Sequence, residues 1–370
     1  MKITFPYMGT TLAYKKFLDL LGHETISPPK PNQRTFDLGV KYSPEFACFP
    51  LKVIMGSYLE AIEQGAEVIV TSGGHGPCRA GFYGELHRKI LHSMGYDVDV
   101  IVIDSIRRDF KTVMGNIRKI KGKNSWRELI WAARLTYRLI KTLDEFEMQI
   151  QTKAAYEIHK GDCWKAWDKI KGILENVWTD RELDVARERC QKIIDQIPIR
   201  EVPEEEKIRI GIVGEIYVVM ESSVNMQIEK VLGDLGCEVR RSHYLSQWLD
   251  DNIMPKFLGK SHEEKILKKG ERYIQIQIGG HAKETMGHVV DYRDQGFDGI
   301  IHLMPFGCLP ELVCQSIMPK ASEELNIPIL TIALDEQTGI ANNLTRIEAF
   351  VDLIKNKKRK RINKTKERRN

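Results

Sequence analysis

Three of the seven cysteines in this 370-residue chain lie where a thiolate could ligate a metal or cluster. Cys48 lies in SPEFACFPLK, between Phe46 and Phe49 and just ahead of Pro50. A helix-like run starts at Leu51, which puts Cys48 near a helix N-terminus, where thiolate is favoured and the pKa is expected to fall. Cys308, in HLMPFGCLPELVCQSIMPK, repeats the proline soon after the cysteine and the helix beyond, and itself follows glycine. Cys78 lies in SGGHGPCRAGFYGE, directly after the strand-like EVIVT. The glycines Gly73, Gly74 and Gly76 of that loop bring backbone N–H groups close to an anion or a sulfide. The spacing fits neither a dinucleotide G-x-G-x-x-G nor a P-loop, which weighs against a nucleotide.

The other four cysteines read as packing residues: Cys163, Cys190 and Cys314 as helical thiols, and Cys237 as the start of a strand. Two further strand-end loops carry polar residues. VGEIYVVMESSVN holds Glu215 and Asn225, and IGGHAKETMGH holds Gly279, Gly280, His281 and Glu284. No pair shows the C-x2-C spacing of a ferredoxin or a zinc finger, so spacing alone does not define a metal site. Cysteines this scattered in a long chain do not read as a disulfide framework either.

The elements that must position these residues alternate in type. From residue 1 to 106, short apolar runs (ITF, EVIVTSG, VDVIVID) alternate with helix-like segments, the pattern of a parallel sheet with crossover helices. Residues 107–203 change character: almost no glycine, apolar residues at helical spacing, and five of the six tryptophans. They read as a helical insert, with Trp126, Trp131, Trp164, Trp167 and Trp178 as core packing. The alternation resumes over 204–354 with IRIGIVGE, CEVRRS, FDGIIHLMPFG and IPILTIAL. The fold class is therefore α/β: two parallel-sheet lobes of Rossmann or flavodoxin type, joined by a helical segment, with a cleft between them. Ligands of such sheets bind beyond the carboxyl ends of the strands.

Residues 355–370 carry a charge of +9, which leaves −4 for the rest of the chain. The tail reads as disordered and solvated, and nucleic-acid binding is not expected of it. No apolar run reaches membrane-spanning length and no secretory signal layout is present, so a cytoplasmic protein is expected.

The segments GGHGPCRAGFY, ACFPLK, VGEIYV, PFGCLPELVCQSIMPK and DEQTG followed by TRIEAFVDLI resemble the proteins related to 2-hydroxyacyl-CoA dehydratase activases. These are homologues of the cluster-bearing subunits of 2-hydroxyacyl-CoA dehydratases and benzoyl-CoA reductases, and of double-cubane cluster proteins. The resemblance covers both α/β blocks. It implies an iron–sulfur cluster, [4Fe-4S] or a double-cubane [8Fe-9S], held by Cys48, Cys78 and Cys308. Gly73, Gly74, Gly76 and Arg79 would line it, and Lys52, His75 and His281 would be further candidates to balance its charge. It also implies low-potential electron transfer or reductive chemistry of lyase or oxidoreductase type, electrons from a separate ATP-dependent activase, and a homodimer or a heterodimer with a related chain. Where relatives carry an acidic residue and glycine after DEQTG, this chain has IANN, which bears against a catalytic role for that loop. The alternatives are a cluster carrier without turnover and a metal-free, two-lobed small-ligand binder.

Overall fold

The computed structural model describes residues 1–72, 78–103, 110–252, 262–276, 278–337 and 339–367. Among these residues eight strands form two four-stranded, all-parallel sheets. The first contains β1 (Lys2–Thr4), β2 (Glu24–Thr25), β3 (Val68–Ser72) and β4 (Asp99–Ile103), in the order β2-β1-β3-β4. The second contains β5 (Ile208–Gly214), β6 (Cys237–Arg241), β7 (Gly299–Pro305) and β8 (Ile329–Leu334), in the order β6-β5-β7-β8. The two lobes thus repeat one doubly wound topology, as the alternating pattern predicts. β7 is buried at every position, which is why its sequence, GIIHLMP, is apolar without a period of two.

In each lobe the strand order reverses between the first and third strands. Loops leaving those strands at their carboxyl ends part there and open a crevice. Glu215 follows β5, and Phe306 to Cys308 follow β7. Cys78 follows β3 across the segment 73–77, which lies outside the described residues.

Residues 110–195 supply four helices: Phe110–Lys121, Trp126–Lys153, Asp162–Glu175 and Asp180–Asp195. Two begin with full capping boxes, Ser125 with Glu128 and Thr179 with Glu182. Their apolar cluster takes in Ala13 from the first lobe and Met220 and Leu245 from the second, so the helical block braces both. The uniform core role expected of its tryptophans does not hold. Trp167 is buried, but Trp126, Trp131 and Trp178 are exposed. Trp178 serves instead as a platform for Lys16, whose Nζ lies 3.4 Å from the ring centroid.

The final helix runs Ile340–Glu367, so the basic run is helical as far as Glu367 where its charge predicted disorder. Lys358 fastens it through a 2.8 Å ion pair to Asp298. No helix among the described residues is long and apolar enough to cross a membrane.

A cysteine site between the lobes

Each of the three singled-out cysteines occupies the N-cap of a helical segment. Cys48 caps Phe49–Glu63, Cys78 caps the 3-10 turn Arg79–Phe82, and Cys308 caps Leu309–Leu325. Pro50 and Pro310 follow in the first turns of the two long helices, where a missing N–H costs nothing. An N-cap side chain ordinarily accepts from the first turn's amides. Each has the extended or near-extended backbone of a cap, and the Leu51 and Glu311 amides, third in their helices, lie on the sulfur side of Cys48 and Cys308.

The lobes bring the three caps together. The Phe49 amide donates to the Phe306 carbonyl at 3.3 Å, joining the start of one capped helix to the loop that leads into the other. Gly307 has φ +76°, and a Cβ built there would lie 3.6 Å from Cys48 Cα. Gly280, at φ +54°, closes the third side: its Cβ would stand 2.8 Å from Pro310 Cγ and 3.5 Å from Cys78 Sγ. Both positions need glycine for the left-handed backbone, and at 280 also for the close approach.

Cys48 and Cys308 are buried, while Cys78 is half-buried. Cys48 Sγ is hydrogen-bonded to the Tyr83 hydroxyl. The thiolate-favouring effect expected from the helix starts is overridden. Burial pushes the Cys48 thiol up, with the Glu215 carboxylate adding to the rise and the Tyr83 bond opposing it. Burial likewise drives Cys308 upward, reinforced by Glu311 and Glu215. At these two cysteines desolvation outweighs the helix termini, which favours the protonated thiol.

Glu215 caps the short helix Ile216–Met220, its Oε2 accepting from the Val218 amide at 3.1 Å. Its carboxyl is pushed up to about 7, burial outweighing two amide bonds and the nearby His281. Asn225 is structural: its Nδ2 donates to the Val218 carbonyl at 2.9 Å. Lys52 is engaged with Glu336 of the DEQTG segment at 2.8 Å, an ion pair between the lobes. Gly73, Gly74, His75 and Gly76 lie outside the described residues, as does the Arg79 side chain. His281 stands beside His243 and Glu284. In the IANN segment, Asn343 is buried and accepts from Arg346 at 3.3 Å.

Cys314 is the core thiol expected, donating to the Ala282 carbonyl at 3.3 Å. Cys163 and Cys190 are buried in helices, and Cys237 opens β6. Sequence reasoning missed Tyr83, Glu221 and the buried pair of His302 Nε2 with Glu311 Oε2, at 2.8 Å. Glu221 accepts from the Gly9 amide at 2.9 Å, another link between the lobes. Glu311 had a faint signal, an acidic residue three positions beyond a helix-capping cysteine. Tyr83 had none.

The fold and site define a two-lobed parallel α/β protein with cysteine-capped helices converging between its lobes. The chain belongs to the 2-hydroxyglutaryl-CoA dehydratase D-component family, whose model matches residues 26–354. No curated protein matches the chain.

Proposed function

We propose that this dehydratase-like component holds an iron–sulfur cluster on Cys48, Cys78 and Cys308, and uses it for low-potential electron transfer or reductive chemistry. The observation that carries this reading is the convergence of three cysteines at helix N-caps between the lobes. The donor set fits the group. Thiolates are the usual protein ligands of iron–sulfur clusters, and metal binding deprotonates thiols that burial otherwise keeps neutral. Among the described residues the three sulfurs do not gather as tightly as the ligands of one ion.

When bound, such a cluster supplies single electrons at a potential set by its type, its hydrogen bonds and its exposure. The chain's own residues do the rest. The helix starts at Cys48 and Cys308 place positive dipole ends beside the sulfurs. Tyr83 offers its hydroxyl to the Cys48 sulfur. In this reading the backbone amides of Gly73, Gly74 and Gly76 belong to the same cradle, and Arg79 balances its charge. Glu215, with a carboxyl near pH 7, can hold or release a proton at its oxygens beside the thiols. Electrons come from a separate ATP-dependent activase. The chain acts in the cytoplasm, as a dimer with itself or a related chain, in a lyase or oxidoreductase component.

The test is iron and acid-labile sulfide per chain after anaerobic purification, with Cys48→Ala, Cys78→Ala and Cys308→Ala alongside. About four of each, lost in every variant, supports a single cubane, and about eight supports a double cubane. If iron and sulfide stay absent after reconstitution, the proposal fails and a metal-free binder takes its place. Reduction by an ATP-driven partner, followed by turnover of an acyl-CoA, separates an enzyme from a carrier.

A further inference from the structure

A second constellation of ligating groups lies beyond the cysteine site, in the second lobe. His243 follows β6, and His281 and Glu284 sit at the start of helix Ala282–Asp294, three residues apart and so on one face. One donor atom from each lies within 4.8 Å of the other two. His281 Nε2 and Glu284 Oε2 are 4.0 Å apart. These groups line a cavity of about 110 Å³ together with Asp251, His262 and His288.

Three observations make this more than a polar surface. His243 Nε2 is 3.1 Å from the Gly214 carbonyl oxygen. A carbonyl only accepts, so that nitrogen carries the proton and Nδ1 keeps its lone pair. Metal-bound histidines are oriented in this way, by a carbonyl on the other ring nitrogen. Next, His288 is only 7% exposed, yet its Nδ1 has no hydrogen-bond partner among the described residues. A buried polar atom left this way costs free energy unless a water or ligand meets it. Finally, the imidazoles crowd one another: the His243 and His281 ring centroids are 4.8 Å apart and those of His243 and His288 are 6.1 Å apart. Burial, helped by the neighbouring His281 and His288, pushes His243 far down, and burial lowers His281 as well.

We propose that His243, His281 and Glu284 bind a divalent transition-metal ion, Zn²⁺ by preference, whose fourth position opens into the cavity beside His288. Two imidazoles and one carboxylate are a known zinc donor set with an open position. Bonds of about 2.0–2.2 Å require donors about 3.3–3.6 Å apart in a tetrahedron. The ion therefore draws the side chains in by about an ångström, within reach of rotamer adjustment. The cavity has room for a metal-bound water or a small oxygen ligand, with His288 Nδ1 available to it. This site adjoins the cysteine site without sharing ligands, since Gly280, against Cys78, directly precedes His281.

The experiment is zinc titration of the full chain, stripped by chelator, against a chromophoric competitor. The wild type should bind one equivalent tightly through these residues. That equivalent should weaken about 100-fold or more in His243→Ala and in the near-isosteric Glu284→Gln, since loss of even outer-shell partners costs 10–100-fold. It should persist in Cys308→Ser. Far-UV circular dichroism checks folding, and Glu284→Gln alone decides the matter if His243→Ala does not fold. Absence of tight zinc, retention of it in Glu284→Gln, or its loss in Cys308→Ser would overturn the assignment. Iron and sulfide content is read separately, so failure of the cluster proposal is distinguishable from failure of this one.

Discussion

Replacing Lys52 with methionine should destabilise the contact between the lobes far more than replacing a surface lysine does. Lys52 Nζ lies 2.8 Å from Glu336 Oε1, and the two side chains keep only 7% and 21% of their surface exposed. At an effective dielectric of about 20, that separation corresponds to an attraction of about 6 kcal/mol. Desolvation of the lysine cancels a large part of it. Removing one partner of a buried pair costs about 3–5 kcal/mol. The low end, about 3 kcal/mol, suits Lys52→Met because Glu336 retains some access to water. Unfolding entropy of about 2.1 cal/mol/K per residue gives about 0.8 kcal/mol/K over the chain, so the melting temperature should fall by about 4 °C. The double variant Lys52→Met/Glu336→Gln should recover most of that loss, because no charge is left buried. The assay is a thermal double-mutant cycle at several pH values. Burial pushes the Glu336 carboxyl up, but the Lys52 bond more than offsets this and holds it below its ordinary value. A carboxylate depressed in this way stabilises the fold above its unfolded pKa, about 4.3, and loses that contribution as pH falls through the folded value. The difference between wild type and Lys52→Met should thus be full at pH 7 and vanish in acid. Additive effects in the double variant, or a shift below 1 °C for Lys52→Met, would refute the buried-pair reasoning.

Two further outcomes follow from packing and charge. A Cβ at Gly56 would stand 1.9 Å from the Thr35 carbonyl oxygen, so Gly56→Ala should cost about 3 kcal/mol by overpacking and lower the melting temperature by about 4 °C. Gly115→Ala, with nothing within 4 Å, should be neutral or slightly stabilising in the same scan. Glu215 has its carboxyl raised to about 7, so the apoprotein should lose stability as pH rises from about 4.5 to about 7. Glu215→Gln should make that slope shallower by one group's share, with the raised Asp144 and Glu284 keeping the rest, and an unchanged pH profile of the melting temperature would show that the carboxyl is not desolvated in solution.

Much of the fold was legible in the chain. Continuous apolar runs such as Val68–Val70 and Ile210–Val213 fit strands buried on both faces, and helical segments between them forced parallel connections. The cysteine caps were legible too, because Gly-Cys and Cys-x-Pro sequences mark where a loop becomes a helix. Charge density misled at the tail, since a run of lysines does not disclose that Lys358 finds Asp298 on another element. Helical spacing misled at Trp126, Trp131 and Trp178, since it fixes which residues share a face but not whether that face is covered.

The sequence by itself determined the α/β class, the helix starts at Cys48 and Cys308, and the residue types available for ligation. These are local matters, set by propensity, periodicity and turn chemistry within a few residues. Tertiary structure alone decided that the helix starts at Cys48, Cys78 and Cys308 face one another between the lobes, that Lys52 pairs with Glu336 across 284 positions, and that His243 joins His281 and Glu284. It also decided that burial would overrule the helix termini at the thiols. The reason is physical: proximity between lobes and the loss of water around a charge are properties of the assembled sheets, and no short stretch of chain encodes either one.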